Sequence, residues 1–275
     1  MTNEKNCLLH TYCQLAGHPV SCTSRCPFFV NLYGSSGDKG IVKNANVPRD
    51  YRMLTLSTSP ARDAVVKIVK DDGKVLVDKK GNAEQPILDI LVGYAKTFTR
   101  QFEDGANAIR SLYLYSEQPG TGKTTTAAAL ANEYLIRHYL GSKKRKLQPH
   151  NRPVYFLSMN RWHAKFHEFN RRNVPEHIGE PAAAEYYDMH NFAKHAPFLV
   201  IDDIGVREAS DAFNMDVLDL VDHRVANRLP TVYTSNVPVE SLKHIYDSRV
   251  FDRVRDLCMI LEFVGDSHRG LYGRG

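Results

Sequence analysis

The segment Glu117-Gln118-Pro119-Gly120-Thr121-Gly122-Lys123-Thr124 constrains this chain more than any other. It follows the apolar run 111–115 (SLYLY) and opens the helical pattern of residues 124–139. A glycine-rich turn between a strand and a helix N-terminus aims backbone N–H groups and the positive end of the helix dipole at one point. That arrangement suits a phosphate chain. Gly120 and Gly122 let the backbone approach the ligand without a Cβ in the way. Lys123 is spaced to reach the β- and γ-phosphates of ATP and the Thr124 hydroxyl to ligate Mg²⁺. Pro119, Thr121 and Thr125 complete the expected ATP-binding turn. One position departs from the G-x-x-x-x-G-K-[ST] pattern: Glu117 stands where its first glycine belongs. A side chain there must point away from the phosphates, and its charge offsets part of the loop's positive field.

The rest of the chain alternates short apolar runs with helical periodicity. Strands are expected at 111–115, 154–158, 198–201, 230–234 and 259–264, and helices at 124–139, 160–172, 182–194, 214–227 and 239–257. That order implies an α/β fold with a five-stranded parallel sheet flanked by helices. Upstream, residues 65–69 and 74–77 alternate around Asp72-Gly73 as a hairpin, and residues 87–102 have helical spacing after Pro86. The run FLVI ends directly in Asp202-Asp203. Acids at the C-terminal end of a buried strand lie beside the phosphates, so Asp202 is expected to hold Mg²⁺ through water and Asp203 to polarise the attacking water. Asn236, just beyond the run PTVYT, is placed to hydrogen-bond that water or the γ-phosphate.

Charge is unevenly spread. Between positions 137 and 172 lie ten lysines and arginines and one acid, Glu168. This is a local charge of +9 on a chain of net +5, so the remainder is acidic by four. A basic stretch of this kind is the footprint of a polyanion binder. Tyr155, Trp162, Phe166 and Phe169 interleave with it, as stacking side chains on single-stranded nucleic acid would, although the same spacing also suits a core. At 275 residues, with 43% hydrophobic and 24% charged content, the chain is long enough for a globular ATPase unit and a small accessory head. No apolar stretch approaches the roughly 18 residues of a membrane span, and the N-terminus lacks the core of a secretory signal, so a cytoplasmic protein is expected.

Four of the five cysteines, Cys7, Cys13, Cys22 and Cys26, fall in the first 26 residues. In a reducing compartment the spacing C-x₅-C-x₈-C-x₃-C suits a tetrahedral Zn²⁺ site, in which His10 or His18 would replace a thiolate if one is not used. The expected organisation is a Cys-rich zinc head (1–33), a Gly/Ser/Asn-rich linker (34–48) and an ATPase unit (49–275).

The blocks LYLYSEQPGTGKTTTAAALANEY, FLVIDDIG, LPTVYTSN, SRVFDRVRDL and GDSHR resemble, in order and approximate spacing over residues 108–270, those of DnaC/DnaI-type AAA+ replicative helicase loaders. The resemblance implies an ATPase that assembles with copies of itself on single-stranded DNA and helps a ring-shaped replicative helicase onto the strand. It implies a sensor role for Asn236, an arginine finger at Arg253 acting on a neighbouring subunit's ATP, and a second sensor at Arg269. Arg249, one turn before Arg253, shares its helix face. It also implies a bacterial or phage setting and, in plan only, a metal-binding head that docks on the helicase. Two rivals share part of these blocks: a transposase-helper ATPase of the IstB type, and an ATP-dependent scaffold without hydrolysis. Asp203 in place of the more frequent glutamate, and Glu117 in the loop, keep the second open.

Overall fold

The computed structural model describes every residue except 1, 71, 104, 106, 206–208 and 266–275. After helices α1 (Pro27–Tyr33) and α2 (Gly40–Asn44), the chain forms strands β1 (Val65–Val69), β2 (Val75–Leu76) and β3 (Glu84–Pro86), then α3 (Ile87–Lys96). The alternating part follows as β4 (Ser111–Tyr115), α4 (Lys123–Lys144), β5 (Val154–Ser158), α5 (Met159–Phe169), α6 (Glu176–His195) and β6 (Phe198–Asp202). It ends as α7 (Asp211–Ala226), β7 (Thr231–Ser235), α8 (Leu242–Ile245), α9 (Ser248–Leu257) and β8 (Cys258–Val264).

The strands join in one sheet of order β2-β1-β8-β4-β7-β6-β5, with β3 also pairing to β1. Pairs along β8-β4-β7-β6-β5 are parallel, whereas β1 is antiparallel to β8, β2 and β3. The sheet is therefore mixed and eight-stranded, where the alternation alone gave five parallel strands. The hairpin that looked separate in the sequence extends the sheet, because Val65–Val69 register residue for residue with 260–264 and cover what would be an open edge.

Residue alternation sends each strand to both faces. Leu112, Leu114, Phe198, Val200 and Val232 pack with α3 and α4 in one core, and Tyr113, Leu199, Ile201 and Tyr233 pack with the α5–α7 and α9 side in a second. Four alanines of α4 (Ala127, Ala128, Ala129, Ala131) are fully buried, and their small side chains let this helix lie close on the sheet. In the second core Trp162 is completely buried, stacks on Tyr186 at 5.3 Å between centroids and donates its indole N–H to the Tyr186 carbonyl at 3.3 Å. The stretch 239–257, helical in pattern throughout, breaks at Tyr246-Asp247. The Asp247 carboxylate accepts the N–H groups of Arg249 and Val250 at 2.7 and 3.0 Å and so starts α9 as a new helix.

The N-terminal region belongs to the first core: Leu8, Leu9, Cys26, Phe29 and Leu32 bury their side chains in the same cluster as α4. Residues 34–48 carry α2 and bury Ile41, Val42, Ala45 and Val47. The Phe156 N–H donates to the Ala45 carbonyl and the Asn46 amide donates to the Phe156 carbonyl, each at 2.8 Å, so this segment is bonded to β5.

Candidate nucleotide site

Four strand ends converge on one edge of the sheet. Register pairs Tyr115 with Ser235 and Ser158 with Asp202, so the loop leaving β4, the acids ending β6 and the amide after β7 emerge together. In the glycine turn, Gly120 and Gly122 adopt φ of 83° and 98°, values that a side chain tolerates poorly. A Cβ on Gly122 would come within 2.3 Å of the Ala61 Cβ, so close packing also demands glycine there. Lys123 is only 5% exposed, and its ammonium donates to the carbonyls of Ser116 and Gln118 at 3.1 Å, which holds it inside the loop.

The loop encloses a cavity of about 340 Å³ lined by Pro119, Gly120, Gly122, Lys123, Thr124, Thr125, Asp203 and Asn236. Thr121 turns its side chain into the protein. Three further lining residues, Tyr51, Pro60 and Ala61, were not foreseen. They come from a segment with no motif of its own, docked on α4 by the buried Asn132, whose amide donates to the Tyr51 and Leu54 carbonyls at 2.8 Å. An otherwise unexplained asparagine among the apolar residues of that helix is the one sequence signal that pointed to the contact.

The two acids behave differently. Asp202 is 9% exposed, and burial, followed by the neighbouring charge of Asp203, pushes its carboxyl up to about 6. Hydrogen bonds from Thr234 and Thr124 and the charge of Lys123 pull the other way. Thr234, fully buried, links the pair: its hydroxyl donates to Asp202 at 2.7 Å and accepts the Asp203 backbone N–H at 2.9 Å. That bond holds Asp203 in the left-handed region at φ 60°. The Asn160 amide reaches the Asp203 carboxylate at 3.4 Å. A buried carboxylate beside a threonine hydroxyl, both hard oxygen donors, fits Mg²⁺, which takes few protein ligands and completes its shell with water and phosphate oxygens. Asn236 is exposed at the mouth, between the first cavity and a second of about 570 Å³ that also contacts Glu117, Asn160, Asp203 and Gly205.

The arginines lie elsewhere. Arg253 pairs with Asp222 of α7 and borders a cavity of about 320 Å³ together with Ser111, Thr231 and Cys258, the first residues of β4, β7 and β8. That is the sheet edge opposite the glycine turn, so Arg253 does not face the nucleotide cavity of its own chain. Arg249 pairs with Asp247 at 2.9 Å, and Arg255 with Asp252 and Asp256. Arg269 lies outside the described residues.

Within the basic stretch, Arg161 pairs with Glu185, Lys165 with Glu168 and Glu185, and Arg152 stacks over Phe192 at 3.3 Å. Lys144, Arg145, Lys146, Arg171 and Arg172 are exposed. Tyr155 of β5 and Trp162 and Phe166 of α5 are buried in the core, so the helical spacing of the latter two serves packing.

The zinc reading of Cys7, Cys13, Cys22 and Cys26 finds no support. Cys22 and Cys26 are buried and Cys7 and Cys13 half-buried; burial, with the other three thiols nearby, raises the Cys7 thiol. Among the described residues no group of three or more His, Cys, Asp or Glu side chains could hold a metal ion. Cys26 belongs to the first core together with Leu8, Leu9 and Phe29, and Cys7 and Cys13 pack against that core. Among the described residues no helix is long and apolar enough to cross a membrane.

The glycine turn, the strand-end acids and the sheet order are those of an α/β P-loop nucleotide-binding fold. No protein-family model matches the chain. The replicative helicase loader DnaC of Escherichia coli (strain K12) is 26% identical over 223 residues, which are 79% of this chain and 77% of the relative. DnaC of Buchnera aphidicola subsp. Schizaphis graminum is 26% identical over 246 residues, 89% and 88% of the two chains. The crystal structure of DnaI superposes with a TM-score of 0.50 at 20% identity, over 79% of this chain and 94% of that one. Over most of its length the chain is similar to replicative helicase loaders of the DnaC/DnaI type.

Proposed function

We propose that this protein binds a ring-shaped replicative helicase and delivers it to single-stranded DNA in a bacterial or phage-infected cytoplasm, driven by ATP binding and hydrolysis. The observation that carries the reading is the nucleotide site itself: Lys123, Thr124, Asp202, Thr234 and Asp203 around one cavity, in a chain similar to DnaC along most of its length. In this reading the backbone N–H groups of residues 120–125 and the Lys123 ammonium hold the phosphates. Thr124 and Asp202 hold Mg²⁺, which would screen phosphate charge when bound. Asp203 and Asn236 orient the attacking water, since phosphoryl transfer needs positioning and charge neutralisation more than covalent help.

Arg253, on the edge opposite its own site, serves the ATP of an adjacent copy, with Arg249 supporting it and Arg269 sensing the nucleotide. Hydrolysis then requires assembly of several copies. The exposed cations at 144–146 and 171–172 contact DNA phosphates, with an affinity that falls steeply as salt rises. Residues 1–33 contact the helicase, 34–48 connect them, and 49–275 form the ATPase unit. Size-exclusion chromatography with a hexameric replicative helicase tests the reading. Co-elution strengthened by Mg²⁺ and ATP and lost in Lys123→Ala supports it. Failure to bind any such helicase in either nucleotide state refutes it.

A further inference from the structure

Glu117 occupies the one loop position where glycine is the ordinary residue, and its side chain is not idle. It borders the second cavity of about 570 Å³, whose other walls include Asn160, Asp203, Gly205 and Asn236. The Tyr115 hydroxyl, at the end of β4, donates to Glu117 Oε1 at 3.2 Å. Asp203 and Asn236 border both this cavity and the nucleotide cavity, so the two spaces adjoin at these two residues. Asp203 is one methylene shorter than the glutamate more usual at its position, and the Asn160 amide engages its carboxylate from the far side. Two carboxylates thus reach one polar space from two elements, the β4–α4 loop and the end of β6.

We propose that Glu117 is a second water-activating carboxylate, sharing with Asp203 the task that a single glutamate performs in a standard site. The inference rests on the reading of this chain as a hydrolysing ATPase. In the step, the oxygen of a water molecule in the second cavity bonds to the γ-phosphorus. The bond from that phosphorus to the β,γ-bridging oxygen breaks, and its electron pair stays on ADP. The water proton passes to Glu117 Oε2, the oxygen that Tyr115 does not hold, and from there to the released phosphate or to solvent. Because the loop wraps the phosphates through backbone groups, the side chain at 117 contributes to turnover and little to ATP affinity.

The full-length protein, with helicase and single-stranded DNA present, is assayed for ATP turnover and for binding of a fluorescent mant-ATP probe. Glu117→Gln is expected to lower kcat on the order of tenfold or more, less than the roughly 10²–10⁴-fold of a sole general base because Asp203 remains, and to change mant-ATP affinity less than twofold. Glu117→Gly, which restores the ordinary loop residue and excludes distortion as a cause, is expected to lose turnover equally. Glu117→Gln with Asp203→Asn is expected to lose more than either alone. Wild-type turnover that Glu117→Gln and Glu117→Gly both retain would refute this inference alone. Mant-ATP binding with no wild-type turnover would refute the hydrolysis reading and this inference together.

Discussion

Asp202→Asn is expected to make the nucleotide-free protein more stable while destroying its use of Mg²⁺. The wild-type carboxylate is buried at the sheet edge, and its ionisation is shifted from the ordinary 3.8 to about 6. Each factor of ten in an ionisation constant corresponds to about 1.4 kcal/mol, so the charged form costs the native state up to about 3 kcal/mol. The sign follows from the direction. With the native value raised, the penalty is present in full above pH 6, shrinks as pH falls below that, and is gone near the unfolded value of about 4. Asparagine keeps the volume and still accepts the Thr234 hydroxyl hydrogen bond, without the charge.

At pH 7.5, without nucleotide, Asp202→Asn should therefore raise Tm by roughly 5–10 °C, given about 2–4 °C per kcal/mol for a chain of this size. At pH 5 the gain should fall by about half, as expected where the wild-type group is largely protonated. Addition of Mg²⁺ and ATP should reverse the order, because the cation stabilises the wild type by mass action and finds no carboxylate in the variant. Differential scanning fluorimetry at the two pH values, with and without Mg²⁺-ATP, reads all four numbers. A nucleotide-free Asp202→Asn that melts below the wild type at pH 7.5, or a gain independent of pH, would contradict the reasoning.

Thr234→Val preserves shape but leaves a half-buried N–H and a buried carboxylate oxygen short of a partner. A loss of roughly 2–4 kcal/mol in urea unfolding is expected, with turnover falling further than mant-ATP binding. Trp162→Ala should cost about 3–5 kcal/mol through the cavity it leaves while the salt dependence of single-stranded DNA binding stays unchanged, since the ring lies in the core; a flattened salt slope would contradict that assignment. Arg253→Ala should keep mant-ATP affinity and lose turnover. Mixing it with Lys123→Ala should restore part of the activity, because intact Arg253 of one chain meets intact Lys123 of another; no recovery in the mixture argues against a shared site.

Most residues that line the candidate nucleotide cavity were legible because their information is local. A strand, two glycines, a lysine and a threonine occupy consecutive positions, and the acids follow an apolar run without a gap. The alternation of elements likewise revealed the five strands that pair in parallel. What escaped depended on distant pairing. Nothing in 65–69 says that it will align with 260–264, and Tyr51, Pro60 and Ala61 reach the cavity only because Asn132, in another element, holds their segment. The helix expected over 239–257 divides because one aspartate satisfies backbone donors more cheaply than continued helix would. The aromatic spacing of 162–169 and the cysteine spacing of 7–26 were ambiguous for a shared reason. Packing and ligand binding both draw on the same residue types at the same intervals, and only burial separates them.

The Thr234 hydroxyl has a single hydrogen, and Asp202 takes it; its lone pair then serves the Asp203 backbone. The Asp202 carboxylate and the Asp203 backbone are thereby tied through one atom. Loss of that hydroxyl disturbs the Asp202 carboxylate and the Asp203 backbone together. In relatives of this protein position 234 should therefore keep a hydroxyl wherever a carboxylate stands at 202.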